Sequence, residues 1–125
     1  MEDGMEQLSR AEFAIRFPLV IPGFRRGGIQ DGLVLVERDT AVSGIINGDV
    51  VVRSGANALV NAIVDGSVIV EQESIVYLNG IIEKNIDVAG AVCIEGIVKG
   101  QVRCEPSAIV VLDGGIVTGG IHAAG

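Results

Sequence analysis

The chain offers few side chains to do chemistry with. Of the groups that act as general bases, nucleophiles or soft metal ligands, it holds one histidine, His122, and two cysteines, Cys93 and Cys104. A catalytic zinc of the three-histidine type needs more, and two cysteines are too few for a structural zinc site or a disulfide framework. An acyltransferase could use a single histidine as general base. His122, however, stands three residues from the end of the sequence, with no long loop beside it to hold a cofactor. The glycines do not fall as GxxxxGK[ST], and no nucleophile and base recur at a familiar spacing. The expectation is a chain without catalytic residues, cofactor or metal.

What the spacing does organise is structure. Ile46, Val52, Ala58, Val64, Val70, Val76, Ile82, Val88 and Ile94 form an aliphatic ladder with a period of six. That period suits neither a helix nor an ordinary hairpin sheet, whereas three such hexads make the 18-residue turn of a parallel β-helix. A longer repeat begins at Gly44-Ile45-Ile46-Asn47-Gly48-Asp49-Val50 and returns at Ala62, Gly80, Gly96 and Gly115. An earlier copy, Gly32-Leu33-Val34-Leu35-Val36, carries it back to about Gly28. The fold class expected is all-β: a single-domain parallel β-helix of five to six turns over residues 28–125, with three short strands per turn. Residues 1–27 are expected to be an N-terminal tail, partly disordered or capping the first coil.

Each hexad sorts into positions. The residue two before the ladder residue is small or aliphatic and should point inward, with the residue between the two pointing out. Two after the ladder residue stand Gly48, Ser54, Val60, Gly66, Gln72, Leu78, Lys84 and Gly90. Gln72 and Lys84 belong in water, so this position reads as the corner. Cys104 falls in the column of Val52, Val70 and Val88 and reads as a small core residue.

Composition agrees. The chain of 125 residues is 49% hydrophobic but only 3% aromatic, so Val and Ile must fill the core, and β-branched side chains suit stacked strands. Net charge is −7, and residues 1–27 are neutral, so the body carries the whole excess. Such a surface argues against nucleic acid as a partner. The acidic N-terminus lacks the apolar core of a secretory signal, and no stretch is apolar enough to span a membrane. A cytoplasmic protein is expected.

An open-ended stack has surfaces to account for. Its end strands have free N–H and C=O groups that can template another chain. Ile29, Leu33, Val34 and Val36 are the candidate interface at the N-terminal end, and Val110, Leu112, Val117 and Ile121 at the C-terminal end. On one outward face Ile45, Ile63, Ile81, Ile97 and Ile116 form a stripe, read either as strand propensity, as a bed for the tail, or as a lateral contact. The outward face with Val51, Ile69, Asp87, Arg103 and His122 is mixed, as a solvated face should be. Phe13, Ile15, Phe17 and Phe24, followed by Arg25 and Arg26, either cap or pack on the coil or insert into a membrane surface. Pro18 and Pro22 exclude a continuous helix through the segment.

The motif Gly-x-Val/Ile-x-Gly-Asp-Val/Ile, seen best at Gly44–Val50, resembles the bactofilin family over roughly residues 28–122. The resemblance implies a right-handed parallel β-helix and a bacterial cytoskeletal role. It implies a homopolymer that grows end to end, without nucleotide, into non-polar filaments that scaffold envelope or cell-shape proteins. It also implies a cytoplasmic location, with the N-terminal segment as a possible contact to the inner face of the membrane. Many bactofilins close their core on a phenylalanine, whereas here the aliphatics named above must serve. The competing expectation is a left-handed hexapeptide-repeat β-helix, an acyltransferase-like trimer, because periodicity does not decide the hand.

Overall fold

A computed structural model describes residues 10–18 and 24–124. One short helix, Arg10–Arg16, precedes sixteen short strands, and the strands pair in parallel. Together they build a three-sided β-solenoid of six layers. The first face stacks Phe24–Arg26, the first half of Thr40–Asn47, the first half of Asn57–Val64, Ile75–Leu78, Ala91–Ile94 and Ile109–Leu112. The second stacks Ile29–Asp31, the second halves of the two long strands, Ile81–Ile82, Ile97–Val98 and Ile116–Val117. The third stacks Val34–Val36, Val50–Val52, Val68–Val70, Ile86–Val88, Val102–Cys104 and Ile121–Ala123.

All nine residues of the six-residue ladder are buried, and they join inward partners such as Val50, Val68 and Ile86 in one continuous core. Alternation along each strand produces this: inward residues meet inside the prism while the residues between them face out. Register partners on the second face run 29, 45, 63, 81, 97, 116, so layers gain or lose a residue or two without disturbing the stacks. Cys104 lies against Val88 in the core, where burial pushes its thiol up from the ordinary range.

Side chains at the corner between the second and third faces fasten the layers together. Asp49 Oδ1 accepts the Ser67 N–H at 2.8 Å, Ser67 Oγ accepts that of Asn85 at 3.2 Å, and Asn85 Oδ1 accepts that of Gln101 at 3.0 Å. From the second layer to the fifth, each layer thus satisfies a backbone donor of the next where the strand ladder is interrupted.

Two positional expectations need correction. Val60 and Leu78 are buried inside the prism and are not corners. Their hexad meets its neighbour within one run of strand, most clearly in Asn57–Val64, so only two of the three corners carry polar residues at that position. The bend instead falls near Gly44, which takes φ +87°; a Cβ there would stand 2.1 Å from the Gly28 carbonyl oxygen. The stack also starts earlier than residue 28, since Phe24–Arg26 pairs with Thr40, Ala41 and Val42. Arg26 occupies the register of buried Val42, and a polar residue in an aliphatic column hides the repeat.

The N-terminal helix packs on the outside of the first face. Its sequence, RAEFAIR, has Glu12 in the first turn and Arg16 in the last, as the helix dipole favours. It stops ahead of Pro18, whose ring disfavours helical geometry in the residue before it. Phe13 is 0% exposed and lies against Tyr77, Ala91, Cys93, Ile109 and Val111, with Phe17, Leu59 and Ile75 at the margin. The segment therefore covers later layers of the stack and not the first coil. Leu19–Gly23, part of the predicted tail, and residues 1–9 lie outside the described residues.

Candidate assembly surfaces

The two ends of the stack are chemically different. At the N-terminal end the layer-one residues in inward register are Phe24, Arg26, Gln30, Val34 and Val36, set against Thr40, Val42, Ile46, Val50 and Val52. Arg26 reaches over the interior, its guanidinium donating to the Leu35 carbonyl at 3.3 Å and to Gln30 Oε1 at 3.4 Å, while Gln30 Nε2 donates to the Gly27 carbonyl at 3.1 Å. The Arg38 guanidinium lies 4.6 Å from the centre of the Phe24 ring. This end is a polar lid. In the same layer Val34 and Val36 are 2% and 1% exposed, so they present little surface to a neighbour, contrary to expectation. Leu33 and Ile29 are exposed, but Ile29 pairs in register with Ile45 and belongs to the stripe on the side.

The C-terminal end is apolar and partly open. Val110, Val117 and Ile121 pack against the core from the last layer, the latter two only half-buried, and Leu112 is 46% exposed. Among the described residues, the strands Ile109–Leu112, Ile116–Val117 and Ile121–Ala123 each have a strand neighbour on one side only. All four predicted C-terminal residues thus come together at one end, with Leu112 the most accessible and Val110 nearly closed over.

The stripe is continuous through all six layers, Ile29, Ile45, Ile63, Ile81, Ile97 and Ile116, and Ile81 is its least exposed member. Among the described residues of the tail, the helix does not lie on it but takes the first face. That other outward column, Leu59, Tyr77, Cys93 and Val111, went unnoticed in the sequence, though its signal was available: aliphatic or aromatic residues at outward positions one layer apart. The Arg26–Gln30 lid could likewise be found by carrying the repeat sixteen residues upstream of Val42 and Ile46.

Of the four residues considered for membrane contact, Phe13 is consumed by packing and Phe17 is half-buried, its carbonyl accepting the Tyr77 hydroxyl. Ile15 is 78% exposed and Phe24 lies beside Arg38. No helix among the described residues is long and apolar enough to cross a membrane.

The mixed third face forms a groove of about 550 Å³ lined in part by Asp87, Gln101, Arg103, Glu105 and His122. Asp87, Arg103 and His122 are engaged with neighbours. Arg103 donates to both Asp87 oxygens, at 2.7 and 3.2 Å, and a His122 ring nitrogen, Nε2, lies 2.8 Å from the Gly119 carbonyl. Among the described residues no cluster of three His, Cys, Asp or Glu could hold a metal ion.

No protein-family model, curated protein or solved structure matches the chain.

Proposed function

We propose that the chain is a structural protein that assembles end to end, a bactofilin-like filament subunit and not an enzyme. The observation that carries this reading is the C-terminal layer, where three one-sided strands surround Leu112, Val117 and Ile121. Strand edges that lack a neighbour pair readily with another chain, and apolar side chains between them gain by leaving water.

Chemistry also suggests which ends meet. Docking the apolar end on the Arg26 lid would leave the guanidinium desolvated against Leu112, which is costly. Two C-terminal ends meeting about a two-fold axis bury like on like, the self-complementary arrangement of isologous contacts. The N-terminal ends then make the second, more polar contact. Such alternation gives the non-polar filament that the resemblance to bactofilins implies, with no nucleotide needed. Scaffolding of envelope or cell-shape proteins from the cytoplasm belongs to the same proposal, as does its right-handed coil.

Electron microscopy and sedimentation of purified protein, without nucleotide, test it. Filaments are expected, and Leu112→Lys should abolish them while leaving the β-rich circular dichroism intact. A monodisperse trimer, insensitive to Leu112→Lys, would sink the proposal and favour the left-handed hexapeptide-repeat enzyme. That alternative has weaker support, because the one histidine sits exposed on the last strand with its Nε2 against the Gly119 carbonyl.

A further inference from the structure

The six isoleucines of the second face stand one per layer, so the stripe is about 24 Å long at ~4.8 Å per layer. It offers on the order of 500 Å² of apolar surface, as large as the biggest patches on typical monomers but short of the ~800 Å² per partner of a standard stable interface. The molecule already shows what its outward columns accept: on the first face a helix with Phe13 at its centre lies on Leu59, Tyr77, Cys93 and Val111.

Charge narrows the occupant further. The outward column beside the stripe contains Asp31, Asp65 and Glu83 against a single base, Lys99, which is bridged to Glu83 at 3.2 Å. Glu95 and Asp113 stand on the opposite flank. Two copies of this chain meeting stripe to stripe would set acidic margins against each other, whereas a basic partner gains from both margins. Length and pitch match a helix. A helix rises 5.4 Å per turn, near the ~4.8 Å layer spacing, and about 16 residues at 1.5 Å each cover the stripe.

We propose that the isoleucine stripe is a docking bed for an amphipathic helix of another protein, about 16 residues long, whose aliphatic face is flanked by lysine or arginine. The proposal is independent of end-to-end assembly, since the stripe lies on the side of the stack and leaves both ends free.

A fluorescein-labelled 16-residue helical peptide with leucines on one face and lysines on both flanks serves as probe, and the same peptide with glutamates on the flanks as its partner. Fluorescence anisotropy with the full chain should show the lysine peptide binding at least tenfold tighter than the glutamate peptide, and weakening with added salt. Ile63→Thr with Ile81→Thr should weaken it at least tenfold. Threonine keeps the strand preference at these outward sites, so the thermal melt should stay that of the wild type and report folding separately. Asp65→Asn with Glu83→Gln should narrow the difference between the two peptides severalfold. Equal affinity for both peptides, or binding unchanged by the double threonine variant, overturns the proposal. It is equally overturned if the threonine pair abolishes side-by-side bundling of the protein that the lysine peptide cannot dissolve, which assigns the stripe to a second copy. Sedimentation with zwitterionic vesicles that depends on Ile63 and Ile81 assigns it to lipid and has the same consequence.

Discussion

Replacing Phe13 with alanine should undock the N-terminal helix while the solenoid stays folded. Phe13 is fully buried, 5.4 Å centre to centre from the Tyr77 ring in an edge-on arrangement and 5.0 Å from Phe17. Burial of a phenylalanine contributes ~1.5–3 kcal/mol and an edge-on aromatic pair ~0.5–1.5 kcal/mol more. A loss of about 3 kcal/mol raises the undocked fraction ~100-fold, at 1.4 kcal/mol per factor of ten. A seven-residue helix does not persist alone in water, so it should unwind once released. The two cysteines make the change readable. Cys93 faces outward beneath Phe13, whereas Cys104 points into the core. A thiol reagent at mildly alkaline pH should therefore modify Cys93 of Phe13→Ala about 100-fold faster than in the wild type, with Cys104 still protected. Emission from Tyr77, the only tyrosine in a chain without tryptophan, should change with it. If Cys93 and Cys104 of the variant react at the same slow rate, the helix is not what shields the first face. Equal, fast reaction at both would mean that the solenoid itself had come apart.

Other outcomes follow from single contacts. Gly96→Ala places a Cβ 2.0 Å from the Gly80 carbonyl oxygen, so neighbouring layers must part, and the thermal midpoint should fall by an amount equivalent to ~1–3 kcal/mol. Arg26→Leu removes the polar lid and should lengthen or aggregate the assemblies seen by sedimentation, with Leu112→Lys acting in the opposite direction. Asp87→Asn breaks an exposed ion pair with Arg103 and should shift stability by no more than about 1 kcal/mol in a denaturant titration. For Cys104 the folded thiol is pushed above its ordinary range, so its contribution is fully present below that range and is lost as pH rises through the folded value. The wild type should accordingly lose more stability than Cys104→Ala as pH rises above the ordinary thiol range of about 8.5.

The layered architecture was legible because a solenoid repeats its environment. Every third hexad returns to the same face, so Val52, Val70 and Val88 meet the same neighbours and the sequence shows a period. Lys84 and Gln72 marked true corners for the same reason. Val60 was misplaced because its corner is a gentle bend inside a continuous strand, and Leu78, in register with Val60, because its strand turns only after it; neither leaves a mark in a six-residue count. That Val110, Leu112, Val117 and Ile121 share one layer was legible, since each continues an inward column, below Val92, Ile94, Val98 and Val102. Their exposure was not. Val34 and Val36 continue inward columns in the same way, yet they are buried while Leu112 is open.

What the sequence determined by itself is the interior: hydrophobic period, strand propensity and stacking register are local properties that add up layer by layer. What only the tertiary structure decided is the exterior. Four apolar outward columns or ends look alike along the chain, yet a helix covers the first face, a guanidinium lies at one end, and the isoleucine stripe and the Leu112 end are left exposed. Such coverage joins residues far apart in sequence, Phe13 with Cys93 and Val111, through contacts that no repeat encodes.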